Sequence, residues 1–394
     1  MDIDYPAFDI DNHYYEALDA FTRHLDPKLG PRCVQWATID GRQYHVVGGK
    51  VSRAVVNATF DPVVKAGAMH DFFRGNAGGK SAMEFMKDRE PIPAHYREPG
   101  ARVKIMDQQG LEKIWLFPTL GMLYEEALKA DPKGVTLTFT AFNRWLEEDW
   151  GFNHDNRIMA APYISLCDVD WAVSELEWAL DRGAHVLVMR PAAPTTDTGQ
   201  RSPFHQSFDP FWNRVNEAGI PVVIHAGDSG YHSQGYADDK FAASFGGTWK
   251  PSIRSFAIER AAFDFLITAA FESAFTRFPN LRLASIENGS TFLPDLFSKL
   301  ASTAKKMPAW AKEDPCELFR EHVWMNPFWE DDPYQVIDCM GPERVIFGSD
   351  WPHIEGMPQP LDYLNELKEL DSAIVQRVVR DNARELNTLR PLGT

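Results

Sequence analysis

The sequence predicts an α/β protein built as a (β/α)8 barrel, the TIM-barrel fold, with a long insertion after the first strand. Eight short segments rich in apolar and β-branched residues recur along the chain, helical patterns separate them, and HVLVM and PVVIH are continuously apolar. Alternation of strands and helices indicates parallel pairing, and continuously apolar strands are typical of sheets buried on both faces. An open doubly wound sheet is the alternative, disfavoured because no Gly-x-Gly-x-x-Gly turn follows the first strand.

The eight predicted strands and the helices between them follow from local patterns. The strands are expected near residues 7–13, 113–119, 157–165, 185–190, 221–226, 281–287, 321–327 and 344–350. WAVSELEWALDRG and DPFWNRVNEAG have helical patterns that end at Gly183 and Gly219, and glycine commonly terminates helices. ERAAFDFLITAAFESAFTRFP and DPYQVIDCMGP provide further helices before the sixth and eighth strands.

About 100 residues separate the first two predicted strands, whereas a βα unit needs only ~30. We therefore expect residues 1–394 to form a single barrel domain in which residues 17–100 are an insertion serving as a lid or a dimerisation arm. Within it, VQWATIDGRQYHVV places two alternating runs around Asp40-Gly41, a strong hairpin signal. FFRGNAGGKS and EPIPAHYREPG are expected to be loop.

Composition restricts the classes of function. The net charge is −16, without a long basic block, which argues against a nucleic-acid partner. The N-terminus has no positive region followed by an apolar stretch, and no segment has the length and apolarity of a membrane span. The four cysteines are scattered without CxxC spacing, which predicts reduced thiols in a cytoplasmic protein.

Polar side chains recur where the predicted strands end. The first strand finishes DIDNH, the fifth VVIHAGD, the sixth ASIENG and the eighth FGSDWPH. Side chains two residues apart in a strand share a face, so Asp9, Asp11 and His13 form one polar ladder. The carboxyl ends of barrel strands converge on one mouth, where catalytic residues lie. Carboxylate and imidazole donors together suit a divalent cation, so we expect a metal against this ladder.

These motifs resemble the amidohydrolase superfamily, specifically its mononuclear branch related to aminocarboxymuconate-semialdehyde decarboxylase and the aromatic-acid decarboxylases (amidohydrolase family 2). The resemblance covers most of the chain apart from much of residues 17–100, and FGSDWPHIEG is its most specific part. Members often carry Asp-x-His-x-His after strand 1, and DIDNH matches this with an aspartate in place of the first histidine. The resemblance implies one metal ion whose ligands are Asp11, His13, His225 and Asp350.

Two further positions depart from the family pattern. Binuclear members have a carboxylated lysine at the end of strand 4, where this chain has Arg190, so a two-metal site is not expected. Many members have a strand-6 histidine where this chain has Glu287, which is then either a ligand or a carboxylate that holds a ligand histidine. Zinc is the expected ion, with manganese, iron and magnesium as alternatives, because mixed Asp and His sites accept them.

Further residues are nominated by their positions at the same mouth. The candidate catalytic residues are Asp350, His232 and Glu287. The candidate substrate-binding residues are Arg190, Tyr231, Trp351 and His353. A guanidinium suits a substrate carboxylate, although an internal salt bridge from Arg190 to Glu287 or Asp9 is the simpler interpretation. The loop residues taken singly have the simpler interpretation of ordinary surface side chains.

The predicted function is hydrolysis of a small anionic or aromatic substrate by a metal-activated water. Asp350 would take the water proton, and Asp350 or His232 would return it to the leaving group. Non-oxidative decarboxylation of an aromatic or unsaturated acid is the alternative and uses the same ligands. A barrel that only binds its ligand is a third hypothesis. The expected partners are a small-molecule substrate and a second copy of the chain, with no nucleic acid and no membrane.

Overall fold

The structure is a computed structural model that describes residues 3–55, 57–231, 256–328 and 331–392. Seven parallel strands form the barrel wall: β1 Ala7–His13, β2 Leu111–Phe117, β3 Ile158–Ala160, β4 Leu187–Met189, β5 Val222–His225, β6 Leu283–Ile286 and β7 Val323–Met325. Strand β1 begins and ends where the sequence predicts. The other six overlap their predicted segments, but most are shorter because the regular pairing stops before the polar residues at their ends.

The barrel closes through bridges between single residues. Pairing runs β1-β2-β3 in one sheet and β4-β5-β6-β7 in another. A parallel bridge from Tyr163 to Val188 joins β3 to β4. On the other side, residues 345–351 occupy the eighth position, bridged to Met325 of β7 and to Asn12 of β1. Eight parallel positions in a closed ring are the (β/α)8 barrel predicted from the sequence.

The eighth position differs from its prediction as a regular strand over 344–350. The 345–351 segment makes isolated bridges rather than a continuous ladder. The physical reason is its turn at Asp350, whose φ of 56° lies in the left-handed region and ends an extended run. The segment is still entirely buried, and it carries its polar residues to the same end of the barrel as the other strands.

Helices cover the outside of the barrel. Their bounds are Pro99–Gln109, Gly121–Leu128, Pro132–Asp149, Val169–Leu180, Asp209–Ala218, Ala257–Phe271, Ala274–Arg277, Leu293–Lys306, Pro315–His322, Pro333–Met340, Ser372–Gln376 and Asn382–Asn387. Gly219 ends its helix with a φ of 58°, as the sequence predicts. The helical pattern before β6 is divided in two at Ser273, which has a φ of 55°. Every described helix is too short or too polar to cross a bilayer.

The insertion between β1 and β2 packs on the barrel mouth. The predicted hairpin is present as Val34–Ile39 and Arg42–Val47, with a short third strand, Lys50–Val51. Its buried His45 is hydrogen bonded through Nδ1 to the Tyr124 hydroxyl, 2.7 Å away, which fastens the hairpin to the barrel. Of the stretches predicted as loop, FFRGNAGGKS is irregular after the helix His70–Phe73, and EPIPAHYREPG includes the 3-10 helix Ala94–Tyr96 and the start of the helix Pro99–Gln109. The helix Ala82–Phe85 lies between them, and the strand Arg89–Glu90, paired with Val63–Val64, ends at the first residue of the second stretch.

Candidate active site

Strands β1 and β5 bring three polar side chains together at the mouth. Asp11 Oδ1 lies 3.2 Å from His13 Nε2 and 3.3 Å from His225 Nε2. All three side chains are almost completely buried. The Nδ1 atoms point away, toward the backbone oxygen of Pro118 at 3.3 Å for His13 and that of Ala226 at 2.9 Å for His225. These backbone contacts fix both rings with Nε2 facing the cluster.

The 345–351 segment adds Asp350 from the other side of His13. Asp350 Oδ1 lies 3.3 Å from His13 Nε2 and 2.7 Å from His353 Nδ1. The His353 ring stacks on the His13 ring, with centroids 3.9 Å apart. His353 Nε2 lies 2.9 Å from the Thr119 hydroxyl oxygen, so both ring nitrogens of His353 have polar partners.

Glu287 completes the cluster from the end of β6. Its Oε2 lies 3.6 Å from His225 Nε2 and 4.0 Å from His13 Nε2. Its backbone, like that of Asp350, is in the left-handed region, with a φ of 58°. Non-glycine residues adopt this conformation at a cost of about 1–3 kcal/mol, and such residues concentrate at functional sites. Two carboxylates of this cluster, at the end of β6 and in the eighth position, therefore have unfavourable backbone conformations.

The donor set fits a metal ion. Two overlapping groups have one ligand atom per residue within 4.8 Å of one another: Asp11, His13, His225 and Glu287, and His13, Glu287, Asp350 and His353. Asp11 Oδ2 and Asp350 Oδ2 are buried and have no hydrogen-bond partner within the described part of the chain. A buried carboxylate oxygen without a partner is costly, and a cation between the two would satisfy both. The sequence left open whether Glu287 is a ligand or holds a ligand histidine; the structure places its Oε2 beside both histidines.

Burial and repulsion raise the pKa values of two acids of this cluster, whereas the pKa of Asp11 is lowered because its contacts with two histidines outweigh its burial. Burial raises the pKa of Asp350 well above its ordinary value, and repulsion from Glu287 and Glu355 adds to this. Burial also raises the pKa of Glu287 strongly, with repulsion from Asp11 and Glu355. Burial lowers the pKa of His353, which is neutral at pH 7. Negative charge on Asp350 and Glu287 is therefore unfavourable unless a cation shares it.

A cavity of about 330 Å³ opens on the cluster. His13, His225, Glu287 and His353 lie at its barrel end. Much of the remaining wall comes from apolar residues of the insertion, among them Val55, Phe60, Pro62, Val63, Val64 and Met86. The cavity volume suits a small organic molecule, and its mostly apolar wall suits an apolar or aromatic body.

Arg190 does not occupy the position predicted for it. Its Nη1 donates to Glu126 Oε2 at 2.7 Å and to the backbone oxygen of Asp228 at 2.8 Å, and its Nε lies 3.4 Å from Glu125 Oε2. It is buried and lies outside the cavity lining. The prediction that Arg190 binds substrate is wrong because two glutamates already neutralise the guanidinium. The structure shows the internal salt bridge that was the simpler interpretation. Its partners are Glu125 and Glu126 instead of Glu287 or Asp9.

Trp351 also differs from its prediction as a substrate-binding residue. Its ring is buried between the His95 ring, stacked at 5.6 Å, and the Arg102 guanidinium, 4.8 Å from its centroid. It therefore packs behind the site and not in the cavity wall. Tyr231 and His353 do line the cavity, and the Tyr231 hydroxyl donates to Asp264. His232, predicted as catalytic, lies outside the described residues.

Three further residues at the cavity were not singled out from the sequence. Glu355 lies two residues after His353, inside the motif FGSDWPHIEG, so its motif position was a usable signal. Thr119 follows β2 and holds His353. Arg89 lies in the insertion and is the only Lys or Arg among the described residues that line the cavity. No sequence signal distinguishes Arg89 from other arginines, because its placement depends on how the insertion folds.

The fold and the strand-end cluster define a class of protein, the (β/α)8 barrels with a candidate metal site at the carboxyl ends of the strands. The family described as amidohydrolase matches residues 91–386. An amidohydrolase from Mycobacterium avium subsp. paratuberculosis K-10 is 39% identical, with a TM-score of 0.92, and the match covers 100% of both chains. The chain therefore belongs to the amidohydrolase family and is an enzyme of that family.

More distant solved structures share the fold. A dihydroxybenzoic acid decarboxylase from Polaromonas sp. JS666 has 17% identity and a TM-score of 0.61 over 80% of this chain and 93% of its own. A 5-carboxyvanillate decarboxylase from Sphingomonas paucimobilis has 16% identity and a TM-score of 0.56 over 84% and 98%. No curated protein matches the chain.

Proposed function

We propose that the chain is a mononuclear metal-dependent hydrolase that acts on a small, mostly apolar substrate bearing a carboxylate. The observation that supports it most is the pair of buried carboxylate oxygens without partners among the described residues, Asp11 Oδ2 and Asp350 Oδ2, whose carboxylates both contact His13 at the end of the cavity. Asp11, His13, His225 and Asp350 would hold the ion. Glu287 would join them, because it and His13 belong to both groups of donor atoms, one with Asp11 and His225 and the other with Asp350. Such an ion supplies a Lewis acid that polarises a carbonyl and activates a water.

The protein groups around the ion have separate tasks in this proposal. Asp350 takes the proton of the attacking water and returns it to the leaving group, because its carboxylate borders the cluster and burial raises its pKa, which makes it a stronger base. His353 holds Asp350 through the 2.7 Å contact and is itself held by Thr119. The apolar residues of the insertion exclude water from the substrate body, so we propose residues 17–100 as the lid of this site.

An anionic substrate is proposed because of Arg89. Its side chain is exposed at the cavity wall, and no ion pair or hydrogen bond of its side chain is found among the described residues. The acids of the cluster repel a carboxylate at the barrel end unless the ion is bound, whereas a guanidinium attracts one. In this proposal Arg89 binds the substrate carboxylate, the role predicted for Arg190 from the sequence.

Replacing Arg89 by methionine tests the substrate's charge. We expect Arg89→Met to raise KM for an anionic substrate by about tenfold or more, since a charged hydrogen bond is lost, and to change kcat less. Arg42→Met is the matched control, because Arg42 is also an exposed arginine of the insertion but does not line the cavity. Steady-state kinetics on both variants are the measurement. Equal KM values for Arg89→Met and wild type would contradict the role.

Metal binding is expected to depend on pH. Asp350 and Glu287 have raised pKa values, so they keep their protons to higher pH than ordinary carboxyl groups do, and these protons must leave before the oxygens bind a cation. Affinity should therefore rise from about pH 6 to about pH 8, with proton release on binding. Titration calorimetry in buffers of different ionisation enthalpy measures both. Affinity that is constant over this range, without proton release, would contradict the shifts.

The ion is proposed to be zinc or manganese. Three carboxylates beside two imidazoles form an oxygen-rich set that accepts either. The decarboxylase from Polaromonas sp. JS666 was solved with bound manganese. We also propose that the protein is cytoplasmic and forms a homodimer, as the sequence predicts.

Decarboxylation is the second candidate function. The specific support is the set of structural neighbours: 2,6-dihydroxybenzoate decarboxylase was solved with 2,6-dihydroxybenzoate bound, and the decarboxylase from Polaromonas sp. JS666 with 2-nitroresorcinol. Those identities are 20% and 17%, and the neighbours therefore show the fold alone. In this reaction the substrate carboxylate would lie at the ion and Asp350 would protonate carbon.

One panel of substrates separates the candidates. The metal-loaded enzyme is incubated with hydroxybenzoates, and CO₂ is measured, in parallel with carboxylate-bearing amides, esters and cyclic ketones, whose products are followed by mass spectrometry. Hydrolysis without CO₂ supports the hydrolase, and CO₂ release supports the decarboxylase. A protein that retains well under one ion per chain after supplementation would instead favour the binding-only hypothesis.

A further inference from the structure

Behind the cluster lies a fully buried arginine that touches neither the cavity nor any candidate ligand side chain. Arg102 is part of the helix Pro99–Gln109, the first after the insertion. Its Nη1 donates to Asn12 Oδ1 at 2.5 Å, its Nη2 to the His13 backbone oxygen at 2.6 Å, and its Nε to the His95 backbone oxygen at 2.6 Å. Its guanidinium also lies over the Trp351 ring. The Arg102 side chain therefore contacts both β1 and Trp351, the residue after Asp350.

Asp9 extends this contact into the 345–351 segment. Asn12 Nδ2 donates to Asp9 Oδ2 at 2.7 Å, so the Asn12 amide links the arginine to the aspartate. The Asp9 carboxylate also accepts from the Ser349 hydroxyl at 2.5 Å, from Ser349 N at 3.0 Å and from Asp11 N at 3.1 Å. Arg102, Asn12, Asp9 and Ser349 form a continuous chain of hydrogen bonds, which we name the clasp.

The clasp holds the backbone of three candidate metal ligands. Asp9 fixes the amide of Asp11, Arg102 fixes the carbonyl of His13, and Ser349 precedes Asp350 directly. The two runs are also joined by Asp350 N to the Asp11 oxygen at 2.9 Å. The left-handed conformation of Asp350 persists only if its surroundings impose it. The clasp supplies that constraint through residues that do not line the cavity.

We propose that Arg102 and Asp9 are positioning residues that set metal affinity by holding Asp11, His13 and Asp350 in one arrangement. This rests on the proposed function, because it presumes that these residues bind an ion. Without the clasp, β1 and the 345–351 segment would sample wider separations, and the ion would have to order its own ligands on binding. The positioning groups touch no substrate, so the expected effect falls on the ion and not on substrate selection.

Arg102→Lys and Arg282→Lys form the matched pair of variants. Arg282 is also a buried arginine that donates to backbone oxygens, those of Leu386 at 2.9 Å and of Gly219, but it precedes β6 at the opposite end of the barrel. Lysine keeps the charge at either site and cannot make three planar contacts. We expect Arg102→Lys to weaken Co²⁺ and Zn²⁺ affinity by about 10- to 100-fold and Arg282→Lys to leave it within about twofold.

Two readouts separate positioning from general destabilisation. Affinities are measured by calorimetry and chelator competition, and the visible absorption of the Co²⁺ form reports ligand geometry; it should change for Arg102→Lys only. If Arg102→Lys fails to fold, Ser349→Ala tests the proposal instead. This change removes one donor to Asp9 and should also weaken metal affinity. Equal affinities and spectra in wild type, Arg102→Lys and Ser349→Ala would overturn the proposal. Wild type that binds no ion would instead overturn the proposed function.

Discussion

His225→Ala should remove the metal ion and abolish turnover. The imidazole supplies Nε2 to the cluster from the end of β5, and alanine leaves only one of the two histidine nitrogens that contact both Asp11 and Glu287, that of His13. Metal catalysis contributes several kcal/mol of transition-state stabilisation, so kcat/KM should fall by on the order of 10³ or more. Metal content measured by mass spectrometry should fall from near one ion per chain to well below it.

We expect the fold to survive His225→Ala. Replacement of a second buried histidine, far from the cluster, is the control. His322 is buried like His225 but lies just before β7, at the opposite end of the barrel, where its Nδ1 contacts the Leu281 backbone oxygen at 2.6 Å. His322→Ala should cost about 1–3 kcal/mol of stability, from the lost hydrogen bond, and keep both ion and activity. Full metal content in His225→Ala, or its loss in His322→Ala, would contradict the placement of the site.

Some parts of this structure could be predicted because local pattern decides them. The limits of β1 follow from its alternating polar ladder, and the hairpin follows from Asp40-Gly41, whose φ values of 49° and 74° only a few residue types adopt readily. The convergence of Asp11, His13, His225 and Asp350 follows from topology alone, since parallel barrel strands end on one face.

Other features depend on partners that sequence spacing does not reveal. Arg190 was expected to face the mouth of the barrel, but its guanidinium is paired with Glu125 and Glu126 on the helix after β2. Trp351 was expected in the cavity wall, but its ring packs against Arg102 and His95 instead. In both cases a side chain at a strand end had two directions available, and burial with a charged or aromatic neighbour decided between them.

Asp350→Asn should lower turnover by about 10²- to 10⁴-fold, the usual contribution of a general acid–base group. Asparagine keeps the shape of the side chain and tolerates the left-handed conformation that Asp350 adopts, so the backbone of the 345–351 segment should stay in place. The change removes the negative charge and the capacity to accept the water proton. Its effect on kcat therefore reports chemistry and not misfolding.

Measuring metal content and kcat together separates two tasks of this carboxylate. If Asp350 mainly moves the proton, Asp350→Asn retains the ion and loses turnover; if it mainly holds the ion, both fall together. Asp331→Asn is the control, because Asp331 is also a carboxylate whose pKa burial raises, to about 6, but it accepts from Phe328 N outside the cavity. Turnover of Asp350→Asn within about threefold of wild type would contradict both tasks, because no other described acid contacts His13 and His353 simultaneously.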